Sequence, residues 1–216
     1  MPEHLARLFS IRIMKVAVIG ATGNIGSKIV TELLTRGHDV SGITRHPEQL
    51  QPNVKFTARR GDVNNEASLA ELLAGHDAVI SAVKFQTMDP NILIRAVKKA
   101  AVKRLLVVGG AGSLDVAPGV QLVDTPDFPE AGKGEALAGR EFLNSLRGER
   151  ELDWTFLSPS ALLAPGERTG RFRLGADRLL VDGKGESKIS IEDYAVAMID
   201  ELESPRHSHQ RFTLGY

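Results

Sequence analysis

The sequence of 216 residues predicts an α/β fold in which helices cover both faces of a doubly wound parallel sheet. Short apolar segments alternate with helix-patterned stretches along most of the chain. The apolar segments are almost continuously hydrophobic, as expected for strands that are buried on both faces. We predict strands at residues 16–19, 39–43, 54–56, 78–82, 105–108 and 154–157.

Helix signals stand between most of these strands. The first helix has apolar residues at helical spacing and should end before Gly37, a residue type typical of helix termination. A second helix should begin at Asp89-Pro90, a capping residue followed by the imino acid favoured at the first helical position. A third is predicted at residues 135–146. The last should begin at Ser190 and end near Pro205.

Composition excludes several classes of function. The chain carries 27 basic and 27 acidic residues, so no overall field attracts it to nucleic acid or to an anionic membrane. Cysteine is absent, which excludes disulfides and fits a cytoplasmic protein. The longest uncharged stretches are shorter than the ~20 residues of a membrane span. The six histidines lack a convincing ligand spacing, so we expect no metal site. The oligomeric state stays open between monomer and homodimer.

The chain is predicted to form one domain at residues 14–216. Residues 1–13 precede a complete opening strand and are expected to be a dispensable extension. Residues 109–134 contain six glycines and three prolines directly after the fifth predicted strand. Long loops in compact domains are commonly functional. We expect this segment to form one wall of a pocket for a small-molecule acceptor, with residues 158–190 completing a small substrate-side region. A mobile surface loop is the alternative.

A glycine-rich motif, Gly20-Ala-Thr-Gly-Asn-Ile-Gly26, follows the first strand directly and opens the first helix. Glycines allow the backbone to approach a diphosphate without a Cβ, and the free amides of the helix N-terminus bind the anion. This context is typical of Rossmann dinucleotide sites, although a tight turn without a ligand is the alternative. The predicted cofactor-binding residues of the motif are Gly20, Thr22, Gly23, Asn24, Ile25 and Gly26.

The end of the second strand determines which dinucleotide is expected. Sites selective for NAD place a carboxylate about 20 residues after the glycines, where it binds the ribose 2′-hydroxyl. Here the sequence reads Thr44-Arg45, and an arginine suits a 2′-phosphate. We therefore predict NADPH as cofactor, with NADH as the alternative. The alternative is that Arg45 is a surface arginine paired with Glu48, in which case it would not be available to a 2′-phosphate.

Two further strand ends complete the predicted cofactor site. Asp62 and Val63 close the third strand, where the carboxylate of Asp62 can accept from the adenine amino group. An ordinary turn aspartate is the alternative. Ser81 and Ala82 end the fourth strand, and their small side chains let the nicotinamide ribose lie close to the backbone.

The chain lacks the Tyr-x-x-x-Lys pair that supplies the acid in carbonyl-reducing short-chain dehydrogenases. Its tyrosines are Tyr194, followed four residues later by Met198, and Tyr216. The acceptor should therefore be one that takes hydride without a tyrosine acid, such as a flavin or a quinone. The candidate catalytic residues are Ser113 and Lys133, which could stabilise developing negative charge. A serine that binds only backbone and a solvated lysine are the alternatives.

Several motifs together resemble a known group of proteins. They are Gly-Ala-Thr-Gly-Asn-Ile-Gly, Thr-Arg-His-Pro after the second strand, and Val-Val-Gly-Gly-Ala-Gly-Ser-Leu after the fifth. The chain resembles the atypical short-chain dehydrogenases assigned as NADH-flavin reductases, and it is similar to biliverdin-IXβ-reductase-like and NmrA-like proteins. This resemblance implies a Rossmann fold, a nicotinamide cofactor and a reductase activity.

Two other functions stay open beside an NAD(P)H-dependent oxidoreductase. One is a non-catalytic NADP(H) redox sensor that acts through a protein partner, as the NmrA-like resemblance implies. The other is a nucleotide-sugar epimerase or dehydratase, which the missing Tyr-x-x-x-Lys pair disfavours.

Overall fold

A computed structural model describes residues 12–216, so the predicted extension at residues 1–13 lies almost wholly outside the described part of the chain. The strands in chain order are β1 Lys15–Ile19, β2 Asp39–Thr44, β3 Phe56–Arg60, β4 Ala78–Ser81, β5 Arg104–Val108, β6 Asp115–Ala117, β7 Val120–Gln121, β8 Asp153–Ser158, β9 Leu162–Ala164, β10 Arg173–Gly175, β11 Lys188–Ser190 and β12 Gln210–Gly215. The α-helices are α1 Asn24–Thr35, α2 Glu66–Leu73, α3 Pro90–Lys99, α4 Glu130–Gly148 and α5 Ile191–Glu203.

Eight strands form the central sheet in the order β10-β12-β8-β5-β4-β1-β2-β3. Seven of them run parallel, and the edge strand β10 pairs antiparallel with β12. The chain moves outward from β1 to β3 on one side and from β4 to β12 on the other. The order in which the chain adds strands to the sheet therefore reverses between β1 and β4. This reversal opens a crevice at the carboxyl ends of these two strands.

Helices cover both faces of the sheet, as the sequence predicts. One buried cluster joins the sheet to α2, α3 and α4 through residues such as Leu69, Leu93 and Phe142. A second cluster joins the opposite face to α1 and α5 through Ile29 and Tyr194. The doubly wound α/β prediction is confirmed.

Two predicted helix starts have the expected caps. The Asp89 carboxylate accepts a hydrogen bond of 2.8 Å from the amide of Asn91, and Pro90 opens α3. The Ser190 hydroxyl accepts one of 3.0 Å from the amide of Asp193, which opens α5. These side chains satisfy amides that lack an intrahelical partner.

Several segments differ from the sequence prediction. The third strand begins at Phe56, because residues 53–56 form a tight turn in which Val54 is fully exposed. Residues 109–134 are not one loop, since they contain the β6–β7 hairpin and the first turn of α4. The short helix α2 and the strand β12 were not predicted.

Candidate functional site

The turn from β1 into α1 has no room for side chains. Gly20 has φ +84°, and a Cβ there would lie 2.6 Å from the carbonyl oxygen of Ala82. A Cβ on Gly26 would lie 2.1 Å from the carbonyl oxygen of Gly20. The glycines therefore let the helix pack directly beneath the turn, which is the cradle that a diphosphate requires.

The N-terminus of α1 presents free amides at the carboxyl edge of the sheet. The first helical hydrogen bond runs from the amide of Ser27 to the carbonyl of Gly23. No side chain caps the helix, and its first turn carries no acidic residue. The amides of Asn24, Ile25 and Gly26 are thus available, with the positive end of the helix dipole, to an anion.

A cleft of about 450 Å³ opens beside this turn, a volume typical of small-molecule sites. It lies where the carboxyl ends of β1, β2, β3 and β4 meet. The predicted residues that line it are Gly20, Thr22, Gly23, Thr44, Arg45, Asp62, Val63 and Ala82. Ser81 is only 2% exposed and does not line it, and Asn24, Ile25 and Gly26 adjoin it through the backbone of the helix start.

Arg45 lies exposed in the cleft at the end of β2. Among residues 12–216 its guanidinium forms no ion pair, and Glu48 instead contacts His46 and Arg60. The pairing of Arg45 with Glu48, which the sequence left open, is therefore not formed. Beneath Arg45 the hydroxyls of Thr22 and Thr44 lie 3.1 Å apart and connect the glycine turn to the end of β2.

Asp62 also lines the cleft, just after the end of β3. One carboxylate oxygen accepts a hydrogen bond of 2.9 Å from the amide of Asn64, which is the turn that the sequence offered as an alternative. The side chain nevertheless lines the cleft, so its second oxygen can still accept from a ligand. The turn geometry and the binding role are compatible.

Sequence reasoning missed the wall of the cleft at residues 83–87. Lys84 follows β4 by three residues and lines the cleft together with Val83 and Thr87. A lysine just beyond a strand end was a signal that could have been used. The Asn64 amide group holds this wall on one side, donating to the carbonyl of Thr87 at 2.8 Å and accepting from the amide of Asp89 at 3.1 Å.

Glu135 holds the same wall on its other side. Its carboxylate accepts hydrogen bonds from the amides of Phe85 at 2.7 Å and Gln86 at 3.1 Å. Phe85 packs against Phe142 of α4 with ring centroids 5.9 Å apart. The wall is therefore fixed to α4 by both a charge-assisted contact and an aromatic contact.

The structure does not bring the two predicted catalytic residues to the cleft. Ser113 is 4% exposed, and its hydroxyl lies 3.4 Å from the Arg211 guanidinium of β12. Lys133 is not in a loop, because it belongs to the first turn of α4, where its ammonium lies 3.8 Å from Glu130. Neither residue lines the cleft, so these positions do not support the proposed roles there.

Tyr194 is excluded as an acid. It is fully buried beneath the sheet, where its hydroxyl donates to the carbonyl of Leu157 at 2.6 Å and accepts from the amide of Gly109 at 3.3 Å. Burial raises the pKa of this hydroxyl well above its usual range. The cleft therefore holds no tyrosine that could donate a proton to an acceptor.

Across residues 12–216, no helix combines the length and the apolar character needed to cross a bilayer. Within the same range no group of three His, Asp or Glu side chains is placed to hold a metal ion.

A glycine cradle, an uncapped helix start and an arginine at the end of β2 lie together at one cleft, as a dinucleotide site requires. The family described as NAD(P)H-binding matches this chain over residues 20–205. The chain belongs to that NAD(P)H-binding family. The match begins at Gly20, directly after β1, and includes the ends of β2, β3 and β4 that line the cleft. Together with the similar structures, it confirms the resemblance to atypical short-chain dehydrogenases assigned as NADH-flavin reductases.

Several proteins are similar to this chain over most of its length. The uncharacterized YwnB protein of Bacillus subtilis is 40% identical over 211 residues, covering 93% of this chain and 98% of its own length. A solved structure assigned as an epimerase, from Bacteroides thetaiotaomicron, is 46% identical with a TM-score of 0.91, covering 95% of this chain and 98% of that one. A structure assigned as an NADH-flavin reductase, from Streptococcus pneumoniae, is 36% identical with a TM-score of 0.78, covering 94% of this chain and 99% of that one.

Proposed function

We propose that this protein is an NADPH-dependent reductase that transfers hydride to a flavin, a quinone or a similar conjugated acceptor. The observation that carries the choice of cofactor is the exposed Arg45 side chain, which lines the cleft and forms no ion pair among residues 12–216. A 2′-phosphate at the end of β2 would give this guanidinium a bidentate partner.

The charges of the cleft support a dinucleotide with an extra phosphate. Its lining carries two permanent cations, Arg45 and Lys84, against one carboxylate, Asp62. Arg45 would bind the 2′-phosphate and Lys84 would neutralise part of the diphosphate beside the amides of α1. Asp62 would accept a hydrogen bond from the adenine amino group, so its carboxylate would face the base and not a phosphate.

Among the described residues, the lining of the cleft contains no tyrosine that could act as an acid, which supports the choice of acceptor. NADPH supplies a hydride from its nicotinamide ring, and the protein's residues need only hold that ring against the acceptor. Conjugated rings such as flavins accept a hydride without protonation by a neighbouring side chain, since water can deliver the proton. The flavin-reductase assignment of the similar Streptococcus pneumoniae protein supports the same acceptor class.

Calorimetry with two variants tests the cofactor. Arg45→Gln should weaken NADPH binding by about 1.5–3 kcal/mol, roughly ten- to a hundredfold, because a charged hydrogen bond is lost, and should leave NADH binding nearly unchanged. Lys84→Met should weaken both cofactors by a similar factor, because both carry the diphosphate. Equal affinity of the unmodified protein for NADPH and NADH would contradict the proposal for Arg45.

Turnover tests the reductase activity. We expect NADPH oxidation above background with at least one member of a panel of free flavins and quinones, followed at 340 nm under anaerobic conditions. Tight NADPH binding without turnover of any acceptor would instead favour a redox sensor. In that case a pull-down with and without NADPH should recover a partner protein.

A further inference from the structure

We propose that Arg60 is a specificity-determining residue, which keeps the Arg45 guanidinium available to the 2′-phosphate by holding Glu48 away from it. This inference rests on the proposed use of NADPH. Arg60 does not line the cleft itself and acts through its neighbours.

Arg60 fixes the backbone at the end of β2. It lies opposite Thr44 in the β2–β3 pair, and the amide of the next residue, Gly61, donates to the carbonyl of Thr44 at 3.0 Å. From this position the guanidinium Nη1 donates to the carbonyl of Arg45 at 2.6 Å. The peptide that carries the cleft arginine is therefore anchored by a charged donor on the neighbouring strand.

The second nitrogen of the same guanidinium contacts Glu48. Nη2 of Arg60 donates to Oε2 of Glu48 at 3.1 Å, and Oε1 of Glu48 lies 3.0 Å from Nδ1 of His46. Both carboxylate oxygens are thus engaged by residues other than Arg45. A hydrogen bond from its own backbone amide holds the pKa of Glu48 below the usual value, so the carboxylate is ionised at neutral pH.

An ionised Glu48 would be the natural competitor of a 2′-phosphate. It follows Arg45 by three residues, and no other carboxylate of the turn at residues 45–50 could pair with the arginine. Without Arg60, Glu48 would lose one of its partners and could turn toward Arg45. It would then both neutralise the arginine and repel the phosphate. NADH lacks that phosphate, so its binding would change little.

The neighbouring residue of β3 provides a matched control. Arg59 is also exposed and carries the same charge, but within residues 12–216 its side chain contacts neither Arg45 nor Glu48. Arg60→Gln and Arg59→Gln therefore remove equal charge from adjacent positions. Only the first substitution removes the contacts with Glu48 and with the carbonyl of Arg45.

The experiment measures the ratio of the NADH and NADPH dissociation constants by calorimetry. A high ratio means a preference for NADPH. Arg60→Gln should lower the ratio by about three- to fivefold, the size expected for one exposed ion pair. Arg59→Gln should lower it by less than about twofold. In a Glu48→Gln background, Arg60→Gln should have no more effect than Arg59→Gln. Arg60→Lys, whose single ammonium lacks the two separate nitrogens that contact Glu48 and the carbonyl of Arg45, replaces the glutamine variant should that variant unfold.

The outcomes separate the two proposals. If Arg59→Gln and Arg60→Gln lower the preference for NADPH equally, the effect comes from net charge alone and the proposed role of Arg60 is wrong. The same conclusion follows from an unchanged ratio in Arg60→Gln, or from an undiminished effect in the Glu48→Gln background. If the unmodified protein prefers NADPH and Arg45→Gln abolishes that preference, the proposed cofactor stands even where the role of Arg60 fails.

Discussion

Gly26 occupies a position where no side chain fits. A Cβ at this residue would lie 2.1 Å from the carbonyl oxygen of Gly20, which belongs to the turn that must remain rigid for a diphosphate. Alanine normally stabilises a helix by about 1 kcal/mol relative to glycine, but forced contacts in a packed site cost about 1–3 kcal/mol or more. We therefore expect Gly26→Ala to lower the melting temperature and to abolish NADPH binding.

Gly148 is the matched control for this substitution. It ends α4, and a Cβ there would meet no atom within 4 Å. Gly148→Ala should leave both the melting temperature and NADPH binding near those of the unmodified protein. Tight NADPH binding by Gly26→Ala would show that the turn can open without loss of the cradle.

Individual residues of the cleft differ in how far sequence could predict them. Gly20 and Arg45 were predictable, because a sharp turn and a missing carboxylate leave local patterns in the sequence. Ser113 was misleading. The chain turns back after β5, and the serine ends buried beside Arg211, a contact 98 residues away that no local pattern records.

Glu135 connects the helix α4 to the wall of the cleft, so its substitution should weaken cofactor binding. In Glu135→Gln one amide of the wall would face an NH₂ group instead of a carboxylate oxygen. Leaving a partly buried donor unsatisfied costs about 1–3 kcal/mol. We expect weaker NADPH binding because residues 84–87 lose their anchor on α4.

Glu141→Gln on the same helix is the control, since Glu141 is exposed and its side chain makes no ion pair among residues 12–216. Calorimetry and thermal melts of both variants separate the two possible roles. Weakened NADPH binding at a temperature where Glu135→Gln is fully folded would support the role of Glu135 in anchoring residues 84–87. A lower melting temperature with unchanged affinity would assign Glu135 to folding alone.

Among the secondary structure elements, the strongly patterned ones were predicted and the short ones were not. Strands β1 and β5 and helices α3 and α5 carry continuous apolar runs or capping residues, which identify them locally. Helix α2 has only eight residues, although Asn65 caps it by accepting from the amide of Ser68. Strand β12 is recognisable mainly through its pairing with β8, a contact distant in sequence.

The molecule as a whole joins its cofactor helix to the C-terminal half of the chain through one buried carboxylate. Glu32 of α1 accepts hydrogen bonds from Arg168 at 2.7 and 2.8 Å and from Arg36 at 2.8 Å. Arg36 in turn contacts Asp200 and Glu203 of α5 at 2.7 Å each. This network fixes α1 against α5 and against the segment that follows β9, regions that are far apart in sequence.

The same network predicts sensitivity to acid. Hydrogen bonds from Arg168, opposed by burial and aided by Arg36, hold the pKa of Glu32 below its ordinary value of 4.5. A lowered pKa in the folded state contributes stability above the unfolded value, and that stability is lost as the pH falls through the folded value. The free energy of unfolding should therefore decrease below about pH 4.5 in part through Glu32.

Urea unfolding at a series of pH values from 7 to 3 measures this contribution. Glu32→Gln should be less stable than the unmodified protein at pH 7, because two arginines lose a buried acceptor, and the difference between them should narrow as the pH falls below 4.5. Glu71→Gln, on the exposed face of α2, should follow the unmodified protein throughout. A stability difference between Glu32→Gln and the unmodified protein that stays constant from pH 7 to 3 would show that Glu32 does not titrate in this range, and that its role is confined to packing α1 against α5.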